Sequence, residues 1–393
     1  RLPQGVNPVS SFIPVAAVSD MLLHPGEPFD YNGLRLSYPA IKLVYWAGGN
    51  PFHHHQNLSR LRRALGRPDT VVVHDPYWTA MAKHADIVVP STTAMERDDY
   101  SGSRNDPVLM AMPQLTEPYA QSQDDYQTFA ALSRRLGFEN QFTEGRTARQ
   151  WLTHLYENWS SALDFEVPTF DEFWRAGQLR LPTEDGLTLL ADFRADPSTH
   201  RLGTPIGLIE IFSSEIDGFG YDDCVGHPAW FEPTEWLGGP RAADYPLHLL
   251  ANQPASRLHS QLDGGAASQR SKVGGREPIR MNPVDAQARG VTGGDVVKVF
   301  NDRGACLAGV VLDEAVRPQV VQLSTGAWFD PEDPSDPDAM CVHGNPNVLT
   351  DDVGTSSLAR GCTGAHVLVE VEKFTAPPPP VRAHHPPEFY DVV

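Results

Sequence analysis

The feature that most restricts what this chain can fold into is a strand–loop–helix phrase repeated near its start. IKLVYWAGGNP carries an apolar run, Ile41 to Ala47, straight into a Gly-Gly turn, as a strand leaving for a loop would. NLSRLRRALG follows, with Leu58, Leu61 and Leu65 at helical spacing and Gly66 as a stop. TVVVHDPYW then repeats the phrase with a buried-type strand from Thr70 to Val73, TAMAKHA reads as a short helix, and DIVVPSTT reads as a third strand. Such alternation predicts a layered α/β domain with a mostly parallel sheet. Ligands of these sheets gather beyond the carboxyl ends of the strands, which here are Gly48 to His55, His74-Asp75 and Ser91 to Asp99.

From Asp125 to Ala162 the pattern predicts two amphipathic helices, with Phe129, Leu132 and Leu136 on one apolar face and Trp151, Leu152 and Leu155 on the other. Residues 164–240 are rich in Pro, Gly and aromatics, with extended pieces such as GLIEIFSS. The style changes near Pro246. PLHLLANQP, DVVKVFN, LAGVVLD, VVQLSTG and HVLVEVEKF are short β-type runs separated by turns, which predicts a small, largely antiparallel barrel. APPPPVRAHHPP is a proline-rich tail expected to wrap a surface or hang loose. The expected organisation is an α/β domain over 1–163, incomplete at its N-terminus, a connection over 164–240, a β-barrel domain over 241–376 and a tail over 377–393.

Composition narrows the function. A chain of 393 residues exceeds one core. Its 31 basic against 50 acidic residues leave a net charge of −19, which argues against general nucleic-acid or anionic-membrane binding. No stretch approaches the roughly 20 apolar residues of a membrane span. The opening RLPQGVNPVS has no Met and no basic region before an apolar core, and reads as an internal start. Cys224, Cys306, Cys341 and Cys362 stand far apart without a CxxC, so a cysteine-held metal centre is not expected and inert buried thiols are. GxGxxG, GxxxxGK[ST] and GxSxG are all absent, which leaves no ordinary NAD fingerprint, P-loop or nucleophile elbow.

Three polar regions carry the candidate chemistry. In GGNPFHHHQ two glycines let backbone approach a ligand, Asn50 offers an amide, and three adjacent imidazoles diverge rather than converge on one ion; a ligand loop and a structural turn both fit. His74-Asp75 stands where an acidic residue can grip a ribose or guanine edge, and Arg97 lies in a charge run with Glu96, Asp98 and Asp99. NQPASRLHSQLDGG supplies Arg257, His259, Ser260 and Gln261 directly after an apolar strand, dense capacity for phosphate or pterin-like edges. HGNPNVLTDDVGTSS and RGCTGAH form a third, Gly-rich pair.

YWAGGNPFHHHQNLSRL, ADIVVPSTTAMERDD, QPASRLHSQL, NPVDAQARGVTGGDVVKVFNDRG and NPNVLTDDVGTSSLARGCTGAHVLVEVEKF together resemble the molybdopterin oxidoreductases of the dimethyl sulfoxide reductase family. The resemblance is closest to the biotin sulfoxide and trimethylamine-N-oxide reductase branch and covers the C-terminal half of such an enzyme. It implies that the α/β domain over 1–163 and the barrel domain over 241–376 both bind a dinucleotide. It also implies one molybdenum held by two molybdopterin guanine dinucleotides, and reduction of an S-oxide or N-oxide by oxygen-atom transfer, as in bacterial anaerobic respiration and electron transfer. It further implies a small-molecule oxide substrate, an electron-donor protein or reductase, and a soluble protein of bacterial periplasm or cytoplasm. Dinucleotide contacts carry over to Asn50, His54, His74, Asp75, Arg97, Asp125, Ala251, Asn252, Gln253, Pro254, Arg257, His259, Ser260, Gln261, Asn347, Gly364 and Ala365. Ala251 and Pro254 can offer only backbone or packing. The metal's Ser ligand is expected upstream, so no catalytic residue or metal ligand is assigned here, and this portion alone is expected to be inactive. Other members, of formate dehydrogenase or nitrate reductase type, and a non-catalytic scaffold fragment are the alternatives. Across a −19 chain, anionic cofactors need donors delivered one by one from loops, and two lobes are expected to share that task.

Overall fold

The computed structural model describes residues 6–9, 12–103, 106–183, 186, 188–363 and 366–389. Ahead of the first expected strand stands a hairpin, β1 (Pro28–Tyr31) and β2 (Leu34–Ser37), paired antiparallel. Its turn is Asn32-Gly33, both with left-handed φ, +46° and +76°, the two-residue chemistry that matches strand twist. Phe29 stacks on Tyr38 with Ala17 beneath, closing a small local core. The three apolar runs become β3 (Leu43–Ala47), β4 (Thr70–Asp75) and β5 (Ile87–Pro90), neighbours in that order in one sheet. Val71, Val72 and Val73 are buried, as a continuous apolar run requires. The helix Leu58–Leu65 starts on Asn57, whose side chain accepts the Arg60 N–H, and buries Leu58, Leu61 and Leu65. TAMAKHA yields only a 3-10 turn, Ala82–His84.

The chain divides into two compact units that are interleaved along the sequence. One is built from His74–Tyr77 and Val88–Glu210. It holds an antiparallel sheet of β6 (Asp99–Ser101), β7 (Val108–Met112) and β8 (Gln178–Arg180), with the helices Asp125–Leu136 and Ala148–Ser160. The first helix is capped by Asp124 and ends on left-handed Gly137; the second opens with a Thr147–Gln150 capping box. Tyr156, Phe170 and Phe173 form this unit's aromatic core. Trp151 is buried as expected, but Leu132 and Leu136 are exposed and Ser133 is buried in their place. Periodicity marks an apolar stripe without revealing whether another element covers it. GLIEIFSS forms no strand: Ile209, Ile211 and Phe212 are exposed and irregular.

The other unit comprises Ser11–Val73, Trp78–Ile87 and Ile211–Val393. Its centre is a closed six-stranded barrel of β9 (Leu247–Leu250), β10 (Pro278–Met281), β11 (Val296–Asn301), β12 (Gly304–Leu312), β13 (Val320–Leu323) and β14 (His366–Lys373). Strand order around it is β10-β12-β11-β14-β9-β13. Two of its pairings, β10–β12 and β13–β9, are parallel and the rest antiparallel, so the barrel is more mixed than turn spacing alone suggested. Inward residues alternate, with Val297, Val299, Leu247, Leu249, Ile279, Met281, Val321 and Leu323 buried. Glu235, from the connecting region, accepts the Leu368 N–H at 2.9 Å and pairs with Arg303 at 2.6 Å, anchoring that irregular stretch to β14. Cys306 and Cys341 are buried, and burial pushes both thiols up; Cys224 is partly buried and Cys362 exposed, and all four are free. No helix among the described residues is long and apolar enough to cross a membrane.

Candidate functional site

The predicted site residues fall into two sets, one in each unit. In the unit that carries the barrel, the loop after β3 begins with Gly48 and Gly49, both left-handed at φ +85° and +78°. Nothing lies within 4 Å of where a Gly48 Cβ would stand, so backbone is open to close approach. Asn50 then caps a single 3-10 turn, its Oδ1 accepting the Phe52 N–H at 3.1 Å. The three histidines alternate: His53 and His55 are buried and His54 is exposed.

Asparagines from the C-terminal Gly-rich region clamp this loop. Asn345 Nδ2 donates to the Phe52 carbonyl at 3.0 Å and Asn347 Nδ2 to the His53 carbonyl at 3.3 Å. Asn347 also accepts from Thr350 Oγ1. Asn347 therefore shapes the loop from within, and Asn345, which the sequence reading passed over, does the same. The NPN string was the signal, since Asn at both ends of a short turn favours side-chain to backbone bonds.

The loop after β9 is drawn to the same place. Asn252 accepts from Ser324 Oγ at 3.2 Å and Thr325 N at 2.9 Å, and Ala251 and Pro254 are half-buried beside it. Gln253 and His259 face each other, with Nε2 of Gln253 2.6 Å from Nδ1 of His259 and the His259 N–H donating to Gln253 Oε1 at 3.2 Å. Trp328 joins the loops: its Nε1 donates to the Ser260 carbonyl at 3.0 Å while its ring stacks on His53 at 5.7 Å. His54 feels His259 directly, since partial burial and then that second imidazole lower its pKa. Gln261 is exposed, its N–H donating to Leu258 O at 3.0 Å.

Arg257 does not face outward. Its side chain is wholly buried, with Nε donating to His259 O at 3.0 Å, Nη1 to Ser268 Oγ at 3.1 Å, and Nη2 to both Glu277 and the Thr325 carbonyl at 3.1 Å. The expected direct ligand contact is thereby replaced by a structural one, because Glu277 and Asp263 take its charge. These two carboxylates and Lys272 close a buried four-membered ring with Arg257: Lys272 lies 2.7 Å from Asp263 and 2.5 Å from Glu277. Burial alone would raise the Asp263 carboxyl, but the hydrogen bond from His384 and then the neighbouring His343, Lys272 and Arg257 outweigh it and hold it far below the usual range.

Gly326 makes the loop's seat. A Cβ there would stand 2.1 Å from the His259 carbonyl oxygen, and its φ is +90°. Gly326→Ala is expected to cost about 2–4 kcal/mol through clash and backbone strain. A lowered urea midpoint checks this; an unchanged midpoint would mean that the loop is not held against this turn.

In the other unit, His74 is buried and its Nδ1 lies 2.8 Å from Asp125 Oδ1, with its ring stacked on Phe129 at 5.2 Å. The carbonyl of Asp75 accepts the Ser91 N–H at 3.3 Å, and Asp75 Oδ1 turns back to the Tyr77 N–H at 3.0 Å. Ser91 bridges to Gln123, just ahead of the helix that begins at Asp125, and Arg97 donates to the Thr92 carbonyl at 3.0 Å. All four predicted residues of this set therefore belong to one bonded cluster at a strand-exit edge. Gly364 and Ala365 lie outside the described residues.

The donor chemistry fits an extended anionic ligand with ring edges. Asn50 Nδ2, both nitrogens of His53, and His55 Nε2 are buried with no protein partner. Orphaned polar atoms are costly unless a ligand or water meets them. Beside them stand the open Gly48-Gly49 backbone and the exposed His54, Gln253, His259 and Gln261.

Residues 247–368 match the family described as Molydopterin dinucleotide binding domain, and residues 20–135 match Molybdopterin oxidoreductase. The chain is 46% identical over 383 residues to the dimethyl sulfoxide/trimethylamine N-oxide reductase of Cereibacter sphaeroides, covering 96% of this chain and 46% of that protein. It is 46% identical to the same organism's biotin sulfoxide reductase, over 94% of this chain and 50% of the relative. Against trimethylamine-N-oxide reductase 1 of Escherichia coli (strain K12) it is 41% identical, over 93% of this chain and 44% of the relative. The chain thus spans about half the length of these relatives. Among solved structures, acetylene hydratase from Pelobacter acetylenicus shares the fold at a TM-score of 0.67 and 19% identity, covering 86% of this chain and 45% of that one. The barrel and the sequence likeness converge, and the chain belongs to the molybdopterin oxidoreductase family, dimethyl sulfoxide reductase type.

Proposed function

We propose that this chain is the dinucleotide-cradling portion of a molybdenum oxidoreductase that reduces S-oxides or N-oxides. The observation that carries the proposal is the gathering of three separate loops, at Gly48–His55, Gln253–Gln261 and Asn345–Asn347, around Trp328 with unpartnered donors left over. The names of its relatives, which are reductases of dimethyl sulfoxide, trimethylamine N-oxide and biotin sulfoxide, supply the substrate class.

In this reading Asn50, His54, Gln253, His259, Ser260 and Gln261 hold one set of nucleotide and pterin edges, and Ala251, Asn252 and Pro254 shape the strand exit that presents them. His74, Asp75, Arg97 and Asp125 serve the same purpose in their own unit. Arg257 and Asn347 brace the loops. When bound, the bis(molybdopterin guanine dinucleotide) molybdenum group supplies the redox chemistry of oxygen-atom transfer, and the protein contributes position, dielectric and exclusion of water. The buried His53 and His55 imidazoles stay neutral and so add no charge beneath the ligand. The electron donor is a separate protein or reductase.

The test is elemental and nucleotide analysis of the full-length protein from a molybdate-supplied host. One molybdenum and two guanine nucleotides per chain are expected, together with turnover of dimethyl sulfoxide or trimethylamine N-oxide by a reduced dye. An active enzyme holding neither metal nor nucleotide would sink the proposal.

A further inference from the structure

The proline-rich tail is docked. Lys83 Nζ donates to the Ala383 carbonyl at 2.9 Å, the Arg382 N–H donates to Asp330 Oδ2 at 2.5 Å, Arg276 reaches the Pro379 carbonyl, and Phe389 meets the edge of Trp78. The barrel is already closed by β14, which ends at Lys373, so this strap is additional to it.

Beside the buried Ala383, the half-buried His384 reaches inward from the strap. Nε2 of His384 lies 3.2 Å from Asp263 Oδ2, and its ring packs 4.9 Å from Trp328. Gly264 admits the ring, since a Cβ there would approach it to 3.2 Å. The same Asp263 oxygen accepts the Trp328 N–H at 3.1 Å, and Trp328 Nε1 holds the Ser260 carbonyl. His259 and Leu262, on either side, sit at left-handed φ of +50° and +56°. Non-glycine residues do not hold that conformation unaided.

We propose that the strap is a latch on the ligand loop, and that His384, seated on Asp263, is a positioning residue that keeps Gln253–Gln261 in its binding shape. The inference rests on the proposed cofactor role of that loop. Asp263, His343 and His384 also meet the spacing of a metal site. Lys272 and Arg257 already lie on Asp263, and their positive charges oppose a divalent cation there.

The test compares the full-length, cofactor-loaded protein with its His384→Ala and His384→Gln variants and with a deletion of residues 377–389. Loss of a hydrogen bond to a buried carboxylate predicts about tenfold faster amide exchange across residues 258–263 in His384→Ala. Cofactor loss on dialysis is expected to quicken to a similar degree. His384→Gln, which keeps an N–H donor, is expected to restore both, a rescue that lost packing alone would not produce. Unchanged loop exchange in both His384→Ala and the deletion overturns the latch, as does stoichiometric zinc bound at Asp263. Faster loop exchange with unaltered cofactor retention supports the latch and instead overturns the cofactor role of the loop.

Discussion

Replacing Asp263 with alanine is expected to cost the barrel unit about 3–5 kcal/mol, the size of loss seen when one partner of a buried ion pair is removed. Asp263 is wholly buried, and its two oxygens serve Lys272, Ser268, Trp328 and His384. Without it, Arg257 and Lys272 face Glu277 alone and one positive charge is left uncompensated in a dry site. The ring is neutral as built, with two cations and two carboxylates, and that balance is what makes it tolerable. Pairing Asp263→Asn with Lys272→Met restores the balance and is expected to recover part of the loss, which a double-mutant cycle on denaturant midpoints measures. If the single and double variants are destabilised equally, charge compensation is not what the ring provides. Since total stabilities run to about 5–15 kcal/mol, the single change removes a large share.

Acidification from pH 7 to pH 5 is expected to destabilise the same unit steeply. Burial pushes His53 and His343 down to about 3, and His55 and His84 down to about 4, from an ordinary 6.5. In His53 and His343 the negative charge of Asp263 opposes that shift without cancelling it. His84 shows how neutrality is used: Nδ1 donates to the Ala80 carbonyl at 2.7 Å, and Nε2 accepts from Arg62 Nε at 3.2 Å, so a second proton has no place. The sign follows from where protons bind. Between pH 6.5 and about 4 the unfolded chain is protonated at these four positions and the folded chain is not, so stability falls as pH falls. Each site contributes a slope of about 1.4 kcal/mol per pH unit, and four in concert give roughly 5 kcal/mol per pH unit through the middle of the range. Asp263 plays no part in this window. A depressed carboxyl gives stability that is present above its unfolded value of 3.8 and is lost only at more acid pH. Urea midpoints at pH 7, 6 and 5 measure the effect, and a flat profile would show that the imidazoles titrate freely.

Much of the fold could be read from local pattern. The barrel strands announce themselves because alternate residues must face inward, and Val296–Asn301 does so along its whole length. The helix Leu58–Leu65 was legible from its leucine spacing and its Gly stop. The Asn32-Gly33 hairpin was passed over, because its flanking strands are too short to stand out. Leu132 and Leu136 mislead for the opposite reason, since their spacing is regular while their faces are exposed. The polar runs do fold as loops that bond to one another. What each side chain does within them was not legible, and Arg257 is the clearest case: in sequence it is a cation in a polar loop, and in space it is enclosed by carboxylates six and twenty residues downstream.

By itself, then, the sequence determined where most strands, turns and polar loops lie, because backbone propensity and burial periodicity act over a few residues. Only the tertiary structure decided which polar groups are left without a protein partner and which are consumed in holding the loops. That choice depends on partners such as Asp263 with His384 and Asn347 with His53, separated by 121 and 294 positions. A buried charge or amide is set by whatever chain closure brings against it, and no local pattern carries that information.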